Sequence, residues 1–303
     1  QKNLNEMIKN NCKYCVMEVS SHALVLNRID NIDYEAAVFT NLTQDHLDFH
    51  KTLENYKNAK EKLFYKTKSI NIFNIDDKVG EEFFNKSLNR DIKTYTYGVE
   101  KEADFKATNI KLYDDRTEYD LIIDKQKYKV STPILGNFNV YNTLAAITTC
   151  ILLGVSREDV IKRVQNLKSV SGRLDKVEND KKVNIIVDYA HTPDALLNIL
   201  KSARLFTKNR IILVFGCGGN RDKAKRPIMG KIAQQNADIS IITSDNPRFE
   251  KEMDIIEDIL CGIDKTLDNY FVVQDREDSI KKAIELYEYG DLIIIAGKGH
   301  ENY

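Results

Sequence analysis

The spacing of apolar and polar residues divides the chain into two parts. In the second part, short apolar runs alternate with amphipathic segments of helical period, the runs being "VNIIVDY", "RIILVFG", "DISIITS", "YFVVQD" and "DLIIIAG". Continuous apolar strands separated by such helices predict a parallel sheet covered on both faces, a doubly wound, Rossmann-like α/β domain. In such sheets, ligands bind beyond the carboxyl ends of the strands.

The first part of the chain is less regular. "KYCVMEVSS" and "YEAAVFTN" are predicted to be buried strands, and "SINIFNI" and "IKTYTYG" predict two more. Leu53, Tyr56, Lys60 and Leu63 follow one another at spacings of three and four, which predicts a helix of about four turns. Alternation interrupted by turns over residues 105–130 predicts a small β-meander beside the parallel sheet.

Two helices follow the meander, and the pattern changes after them. They are "NFNVYNTLAAITTCILLG" and "SREDVIKRVQNL", and Ser156 is the expected N-cap of the second. We place the boundary near residues 168–176 and predict two domains, 1–170 and 171–303, each large enough to bury its own core.

Composition narrows the class of protein. Hydrophobic residues make up 42% of the 303 and charged residues 30%, which is typical of a globular chain rather than a disordered one. The net charge is -1 without a basic stripe, so nucleic acid is not an expected partner. No apolar run approaches the roughly 20 residues of a membrane helix, and the first residues are polar. We therefore expect a cytoplasmic protein without membrane insertion.

Five cysteines form an odd set, and most lie in or beside apolar segments. They are Cys12, Cys15, Cys150, Cys217 and Cys261. We expect buried thiols in a reducing compartment rather than disulfides. The first two have CxxC spacing, but no second pair completes a zinc site.

Polar clusters follow most of the predicted strands. They are "EVSSH", "TNLTQDHLDFH", "DYAHTPD", "GCGGNRD", "DNPR" and "GKGHE". Because the carboxyl ends of parallel strands meet at one edge of a sheet, six such loops predict a site between the two domains.

Two of these clusters suggest a metal, and each has a plain alternative. Glu18 is a candidate Mg²⁺ ligand or a solvated strand end. The segment from Asp45 to His50 is rich in acids and histidines, but neither HxHxDH nor HExxH is present. Helix-capping acids beside surface histidines explain it equally well, so a zinc hydrolase is a weak hypothesis.

Lys60 lies on the apolar stripe of its helix, whereas Lys57 and Lys62 lie off it. A packed stem with the amine reaching water is the ordinary explanation. A buried lysine can also lose its proton and take up CO₂, which gives a carbamate anion able to hold a metal.

Two loops of the second part are informative. "GCGGNRDK" is a glycine-rich turn, but it is not the phosphate-binding G-x-x-x-x-G-K-[ST] sequence, which occurs nowhere in the chain. "SDNPR" presents a carboxylate, an amide and a guanidinium on a loop that Pro247 stiffens.

Taken together, these residues resemble the Mur ligase family, in the branch that adds the third amino acid of the peptidoglycan peptide. The segments that carry the resemblance are "MEVSSHAL", "FTNLTQDHLDFH", "YKNAKEKLF", "GNFNVYNTLAA", "SGRLDKV", "VDYAHTPDAL", "GCGGNRDKAKRPIMG", "SDNPR" and "AGKGHENY". The resemblance implies a central P-loop-type ATPase domain followed by the C-terminal domain. The family's N-terminal domain and P-loop are not in this chain, so we expect a fragment of a longer ligase.

The resemblance also implies a reaction. ATP would phosphorylate the D-glutamate side chain of a UDP-N-acetylmuramoyl-dipeptide, and the amine of the incoming amino acid would displace the phosphate. Family analogy places Mg²⁺ at Glu18, at His46 and at a carbamylated Lys60. It places ATP at Asn139, Asn142, Arg173 and Asp188, and His191 near the phosphates. Ser20 and Arg28 would contact the UDP-linked dipeptide, although Leu26 replaces a polar residue found in some members.

The incoming amino acid is expected to be meso-diaminopimelate. By resemblance, Asp245, Asn246 and Arg248 would bind it, together with Arg221, Gly297 and Glu301. Lysine or a related diamino diacid such as lanthionine is the alternative, in which case Arg248 would only cap a helix or pair with Glu250. We expect a monomer, and a binding fragment without catalysis is the competing hypothesis for the chain as it stands.

Overall fold

The computed structural model describes residues 2–113, 115–168 and 170–299, and this part of the chain forms a mixed α/β fold with two six-stranded sheets. The elements of the first part are α1 (Lys2–Lys9), α2 (Ser21–Val25), β1 (Tyr34–Phe39), α3 (Leu47–His50), α4 (Leu53–Tyr65), β2 (Thr67–Asn74), α5 (Lys78–Ser87), β3 (Lys93–Gly98), β4 (Phe105–Leu112), β5 (Thr117–Ile123), β6 (Gln126–Thr132), α6 (Asn137–Leu152) and α7 (Arg157–Val164).

The first sheet has the order β1-β2-β3-β4-β5-β6. Its first four strands are parallel, and β4, β5 and β6 form an antiparallel meander. Phe64 of α4 and Phe83 of α5 pack with Phe73 on one face, whereas Leu144 of α6 lies in the core of the other face. Ser156 caps α7 through the backbone N–H of Asp159. The predicted parallel sheet with a meander is confirmed.

The second sheet has the order β11-β10-β9-β12-β8-β7. The elements of this part are β7 (Asp175–Lys176), β8 (Ile185–Asp188), α8 (Pro193–Phe206), β9 (Ile211–Phe215), α9 (Lys225–Asn236), β10 (Ile239–Ile242), α10 (Glu252–Leu260), β11 (Tyr270–Val272), α11 (Arg276–Leu286) and β12 (Leu292–Ala296). Every pairing is parallel except that of β7 with β8.

Helices cover both faces of the second sheet. Leu200 of α8, Met229 of α9 and Ile256 of α10 belong to the core on one face, and Ala283 of α11 belongs to the core on the other. Among the described strands β12 comes last in sequence but lies between β9 and β8, so the chain runs from β7 and β8 to β9, continues outward to β11 and then returns to the middle of the sheet. The predicted doubly wound arrangement is confirmed.

Two structural predictions were wrong. Residues 13–19 form no strand and are largely exposed, with Val16 at 98%. A strand needs a neighbour for its backbone hydrogen bonds, and in the described residues β1 pairs only with β2. The apolar residues of "KYCVMEVSS" therefore do not form a strand in this structure.

The prediction of buried thiols holds for one cysteine. Cys217 is buried behind β9, whereas Cys12, Cys15, Cys150 and Cys261 are exposed. Cys150 and Cys261 lie at or just beyond the ends of amphipathic helices, where proximity to apolar residues along the chain does not imply burial. All five are free thiols.

Among the described residues, no helix combines the length and the apolar character needed to cross a membrane.

Candidate active site

Loops that follow β9, β10 and β12 meet at the carboxyl edge of the second sheet. The backbone N–H of Gly219 donates to the carbonyl of Asn246 over 2.8 Å. A Cβ atom at Gly219 would lie 1.9 Å from the carbonyl oxygen of Pro247, and one at Gly297 would lie 2.8 Å from Oδ2 of Asp245. Only glycine permits these approaches, so the three loops form one cluster, as their positions at strand ends predict.

Arg248 lies on the rim of this cluster. Its Nη1 donates to the carbonyls of Gly219 over 2.9 Å and of Asn246 over 3.3 Å. In the part of the chain that the structure describes, its Nε and Nη2 have no hydrogen-bond partner and the side chain is exposed. A Cβ at Gly218 would lie 2.8 Å from Nη1 of Arg248 and 3.9 Å from Cγ of Arg221, so the two arginines flank the same glycine.

The alternative roles of Arg248 do not match the geometry. Glu250 pairs with the fully buried Arg226, whose Nη1 and Nη2 lie 2.9 Å from its two oxygens, and with Lys223 at 3.0 Å. The hydrogen bonds from Arg226 hold the pKa of Glu250 well below its usual range. Lys251, not Arg248, is the N-cap position of α10. Arg248 therefore neither pairs with Glu250 nor caps that helix.

Asp245 is half-buried and has no hydrogen-bond or ion-pair partner among the described residues. Arg276, which the sequence did not indicate, is near enough to Asp245 for their charges to interact. Burial lowers the pKa of Arg276, and the charge of Asp245 opposes this effect. Arg276 is the first residue of α11, and its pattern is that of any charged residue in a first helical turn. Nothing in the sequence marks it as part of a site.

Three further predicted residues lie around β8: Asp188 ends this strand, His191 is in the loop that follows it, and Arg173 precedes β7. Asp188 is buried, and its two oxygens accept from the backbone N–H groups of Leu174 and Ala190, each over 2.8 Å. Burial raises the pKa of Asp188, and these hydrogen bonds oppose the change. The guanidinium of Arg173 lies 4.7 Å from the ring centre of Tyr189, and His191 packs against the other side of this loop through its contact with Tyr189.

A cleft of about 1480 Å³ lies between the two parts of the chain. Asn139, Asn142, Arg173 and Asp188 all line it, so the structure brings together the four residues assigned to the nucleotide. Nδ2 of Asn142 donates to Oδ1 of Asn139, and Nδ2 of Asn139 donates to the carbonyl of Leu135. These bonds fix both amides at the start of α6.

The cleft is also lined by Asp76, a carboxylate that the sequence analysis did not predict. Asp76 accepts from three successive backbone N–H groups, of Val99, Glu100 and Lys101, and from the hydroxyl of Tyr141. Those hydrogen bonds outweigh burial and lower the pKa of Asp76. The only signal in the sequence was its place after the apolar run of β2.

Histidines gather at the edge of the first sheet. Ring centres of His22 and His46 are 4.9 Å apart, and those of His22 and His50 are 5.6 Å apart. His50 stacks on Tyr56 at 5.0 Å, and Nζ of Lys60 lies 5.2 Å from the centre of the Tyr56 ring. His50 is buried, and its Nε2 lies 2.8 Å from the hydroxyl of Ser21. The hypothesis that the histidines of this segment lie on the surface is therefore wrong for His50.

Burial lowers the pKa of two residues in this group. It lowers the pKa of His46, which the Asp45 carboxylate opposes, and it lowers the pKa of Lys60, which Glu18 and Asp45 oppose. A neutral imidazole is the form that binds a metal, and a neutral amine is the form that reacts with CO₂. The lowered pKa values of His46 and Lys60 are thus in the direction that metal binding at His46 and carbamylation of Lys60 require.

The remaining predicted residues make fewer contacts with the groups described above. Glu18 is exposed but near enough for its charge to act on Lys60, and the hydroxyl of Ser20 caps α2 by accepting from the N–H of Ala23. Arg28 is exposed. Glu301 lies outside the described residues.

The zinc-hydrolase hypothesis finds no support in the described ranges. No three His, Cys, Asp or Glu side chains there are arranged to hold a metal ion. The carboxylate of Asp45 instead accepts from the backbone N–H of His46, at the start of α3.

Contacts and charges link the two parts of the chain across the cleft. Nε2 of Gln44 donates to Oδ2 of Asp222 over 3.2 Å. His191 is near enough to His46 that its charge acts to lower the pKa of His46. The histidine group, the cleft and the loops of the second sheet thus face one another.

Comparison with known proteins finds relatives that match the whole of this chain. The chain is 51% identical over 303 residues to a protein of Clostridioides difficile (strain 630) and 48% identical over 305 residues to one of Clostridium botulinum (strain ATCC 19397 / Type A). Both are named UDP-N-acetylmuramoyl-L-alanyl-D-glutamate--2,6-diaminopimelate ligase. Each match covers 100% of this chain, which spans 63% and 62% of the two relatives.

A solved structure with the same name matches 100% of this chain and 62% of its own, with a TM-score of 0.67 and 36% identity. Residues 1–150 match the model of the Mur ligase middle domain, and residues 172–299 match that of the Mur ligase, glutamate ligase domain. With both domains present in the same order as the two sheets, this chain belongs to the Mur ligase family.

Proposed function

We propose that the complete protein is an ATP-dependent amide ligase that adds meso-diaminopimelate to the D-glutamate of UDP-N-acetylmuramoyl-L-alanyl-D-glutamate. The family and the names of the relatives support the reaction class. The observation that carries the choice of amino acid is the cluster of Asp245, Asn246, Arg248 and Arg221 beside Gly297.

Charge is the reason for choosing meso-diaminopimelate over lysine. Its far end carries a carboxylate and an ammonium, whereas lysine has only an ammonium there. The Nε and Nη2 groups of Arg248, which have no partner in the described ranges, can donate two parallel hydrogen bonds to that carboxylate, and Arg221 flanks the same glycine. The carboxylate of Asp245, which has no partner among the described residues, and the amide of Asn246 suit the ammonium. Glu301 stays part of this proposal as a further contact.

The cleft between the domains is the proposed ATP site. Asn139 and Asn142 would contact the adenine, Asp188 the ribose and Arg173 the γ-phosphate. One carboxylate lone pair on each oxygen of Asp188 is already used by a backbone N–H, so only the second lone pairs remain for a ribose hydroxyl. We place the domains at 1–170 and 171–303.

His46 and a carbamylated Lys60 are the proposed magnesium ligands, with Glu18 at a second ion. When bound, Mg²⁺ would neutralise charge on the phosphoryl oxygens. Ser20 and Arg28 would hold the UDP-linked dipeptide, and His191 would lie near the phosphates. A cytoplasmic location and a monomeric state complete the proposal.

Competition kinetics with the complete ligase test this function. Wild type is expected to consume meso-diaminopimelate in preference to lysine, and Arg248→Ala to lose roughly two to three orders of magnitude in diaminopimelate use, because a charged pair is lost. Lysine use should stay unchanged or improve slightly. A third assay with lanthionine tests whether a related diamino diacid is the preferred substrate.

Lys208→Ala is the matched control, since it removes a cation from the same domain away from these loops. A wild-type preference for lysine would refute the amino-acid assignment. So would an Arg248→Ala enzyme as selective as wild type. No amide product with any of the three amino acids would refute the ligase itself.

A further inference from the structure

We propose that Arg276 is a positioning residue of the amino-acid pocket, which ties the loop carrying Asp245 to the end of β12 while leaving the Asp245 carboxylate free for substrate. This inference rests on the proposed function for its substrate, but its geometry is independent of that function.

The guanidinium of Arg276 joins two loops of the pocket. Its Nη2 donates to the carbonyl of Ala296 over 2.8 Å, and its Nη1 donates to the carbonyl of Ser244 over 3.4 Å. Ala296 ends β12, and Ser244 follows β10. Because β9 lies between these strands in the sheet, one side chain connects loops that no backbone ladder joins directly.

These loops are the ones that carry the proposed contacts. Asp245 is the residue after Ser244, and Gly297 is the residue after Ala296. Oδ2 of Asp245 lies so close to Gly297 that an added Cβ would be only 2.8 Å away. The relative position of the two loops therefore sets where the Asp245 carboxylate lies.

Arg276 influences Asp245 through its charge without forming a hydrogen bond or an ion pair with the carboxylate. Nη1 and Nη2 of Arg276 donate to backbone carbonyls, and no ion pair within 4 Å joins Arg276 to Asp245 among the described residues. Its positive charge still attracts the carboxylate, as the effect of Asp245 on Arg276 shows. Both oxygens of Asp245 thus stay available for a substrate ammonium, while a nearby cation attracts the carboxylate.

A lysine would not replace this arginine fully. Two donors in a rigid planar fork can reach two carbonyls at fixed separation, whereas an ammonium on a flexible stem is a point charge. Arg276→Lys keeps the attraction to Asp245 and loses the bridge, and Arg276→Met loses both.

The test compares these variants with Arg210→Met in the complete ligase. Arg210 is the control because, like Arg276, it donates to a backbone carbonyl, that of Leu286, while its other contact is an ion pair with Asp291 at the opposite edge of the same sheet. Arg276→Met is expected to raise the KM for the amino acid roughly tenfold to a hundredfold, with the KM for ATP within about twofold. Arg276→Lys should recover part of the loss. Arg210→Met should lower the thermal midpoint and leave the amino-acid KM unchanged.

Amide hydrogen exchange of the same proteins gives a second readout that needs no substrate. Arg276→Met is expected to speed exchange in residues 244–248 and 297–299 relative to wild type and to Arg210→Met. Unchanged exchange in both segments overturns the proposal, as does an amino-acid KM that stays at the wild-type value or rises in parallel with that for ATP. A wild-type enzyme that uses no diamino acid refutes the proposed function instead, and the exchange experiment still decides the role of Arg276.

Discussion

Replacing Arg226 by methionine should destabilise the second domain by about 3 kcal/mol, because it leaves a carboxylate without its main partner. Arg226 is fully buried and makes four hydrogen bonds, to Glu250, Asp258 and the carbonyl of Gly218. Methionine preserves the packing of the aliphatic stem and removes only the charge and the donors.

The magnitude follows from what remains around the two acids. Removing one member of a buried pair typically costs about 3–5 kcal/mol. The Glu250 side chain is only 14% exposed, but it keeps Lys223 at 3.0 Å and the N–H of Asn220, while Asp258 is 40% exposed and can be solvated. These remaining partners favour the lower end of that range.

Urea unfolding followed by far-UV circular dichroism measures the change, since the chain has no tryptophan. Arg204→Met is the control, because its pair with Asp238 is about 40% exposed on both sides and should be worth under about 1 kcal/mol. Adding Glu250→Gln to Arg226→Met should recover about 1–2 kcal/mol, since the orphaned charge is then removed.

The pH dependence provides a further check. Arg226 lowers the folded-state pKa of Glu250, so the resulting stability is present above the unfolded pKa of about 4.3 and is lost as pH falls below it. Wild type should lose stability on acidification more steeply than Arg226→Met. Equal acid profiles, or a loss no larger than that of Arg204→Met, would refute the reasoning.

The remaining predictions concern chemistry. Lys60→Ala should nearly abolish ligation by the complete protein while Lys62→Ala, on an exposed position of the same helix, should not; near-normal turnover of Lys60→Ala would make the lysine structural. Because burial lowers the pKa of Lys60 and the neutral amine takes up CO₂, a carbamate signal in ¹³C-bicarbonate spectra should grow as pH rises, and should be absent from Lys60→Ala. The 303-residue chain by itself, which contains no G-x-x-x-x-G-K-[ST] loop, should release phosphate from ATP no faster than its own Lys60→Ala variant; faster, amino-acid-dependent release contradicts this.

Most helices and strands were predicted from the sequence because short stretches of residues determine where they form. Apolar runs such as "RIILVFG" are buried on both faces, and helix starts such as Ser156 make their own capping bonds. Residues 13–19 show the limit, since an apolar run becomes a strand only with a partner beside it. The two-residue β7 and the short α3 are too brief to leave a periodic pattern.

The site was predictable as far as topology decides it. Residues after parallel strands meet at one edge, and so Asp245, Gly297 and Gly219 lie together. Their partners were not predictable, because these depend on which side chain is buried. Arg226 takes Glu250, and Arg248 is left with carbonyls, although the sequence alone allowed Arg248 to pair with Glu250.

The position of β12 has a consequence for how the protein is made. In the sequence, residues 292–296 follow every other described strand of the second sheet and so leave the ribosome after them, yet they fill the gap between β9 and β8. Until they arrive, the edges of β8 and β9 that face each other lack their ladder partner and are open to wrong pairing. The proposed amino-acid pocket, whose wall includes Gly297, therefore cannot form until β12 has been synthesised, and a ribosome stalled before β12 would carry a domain that is unfinished both in its sheet and in its site.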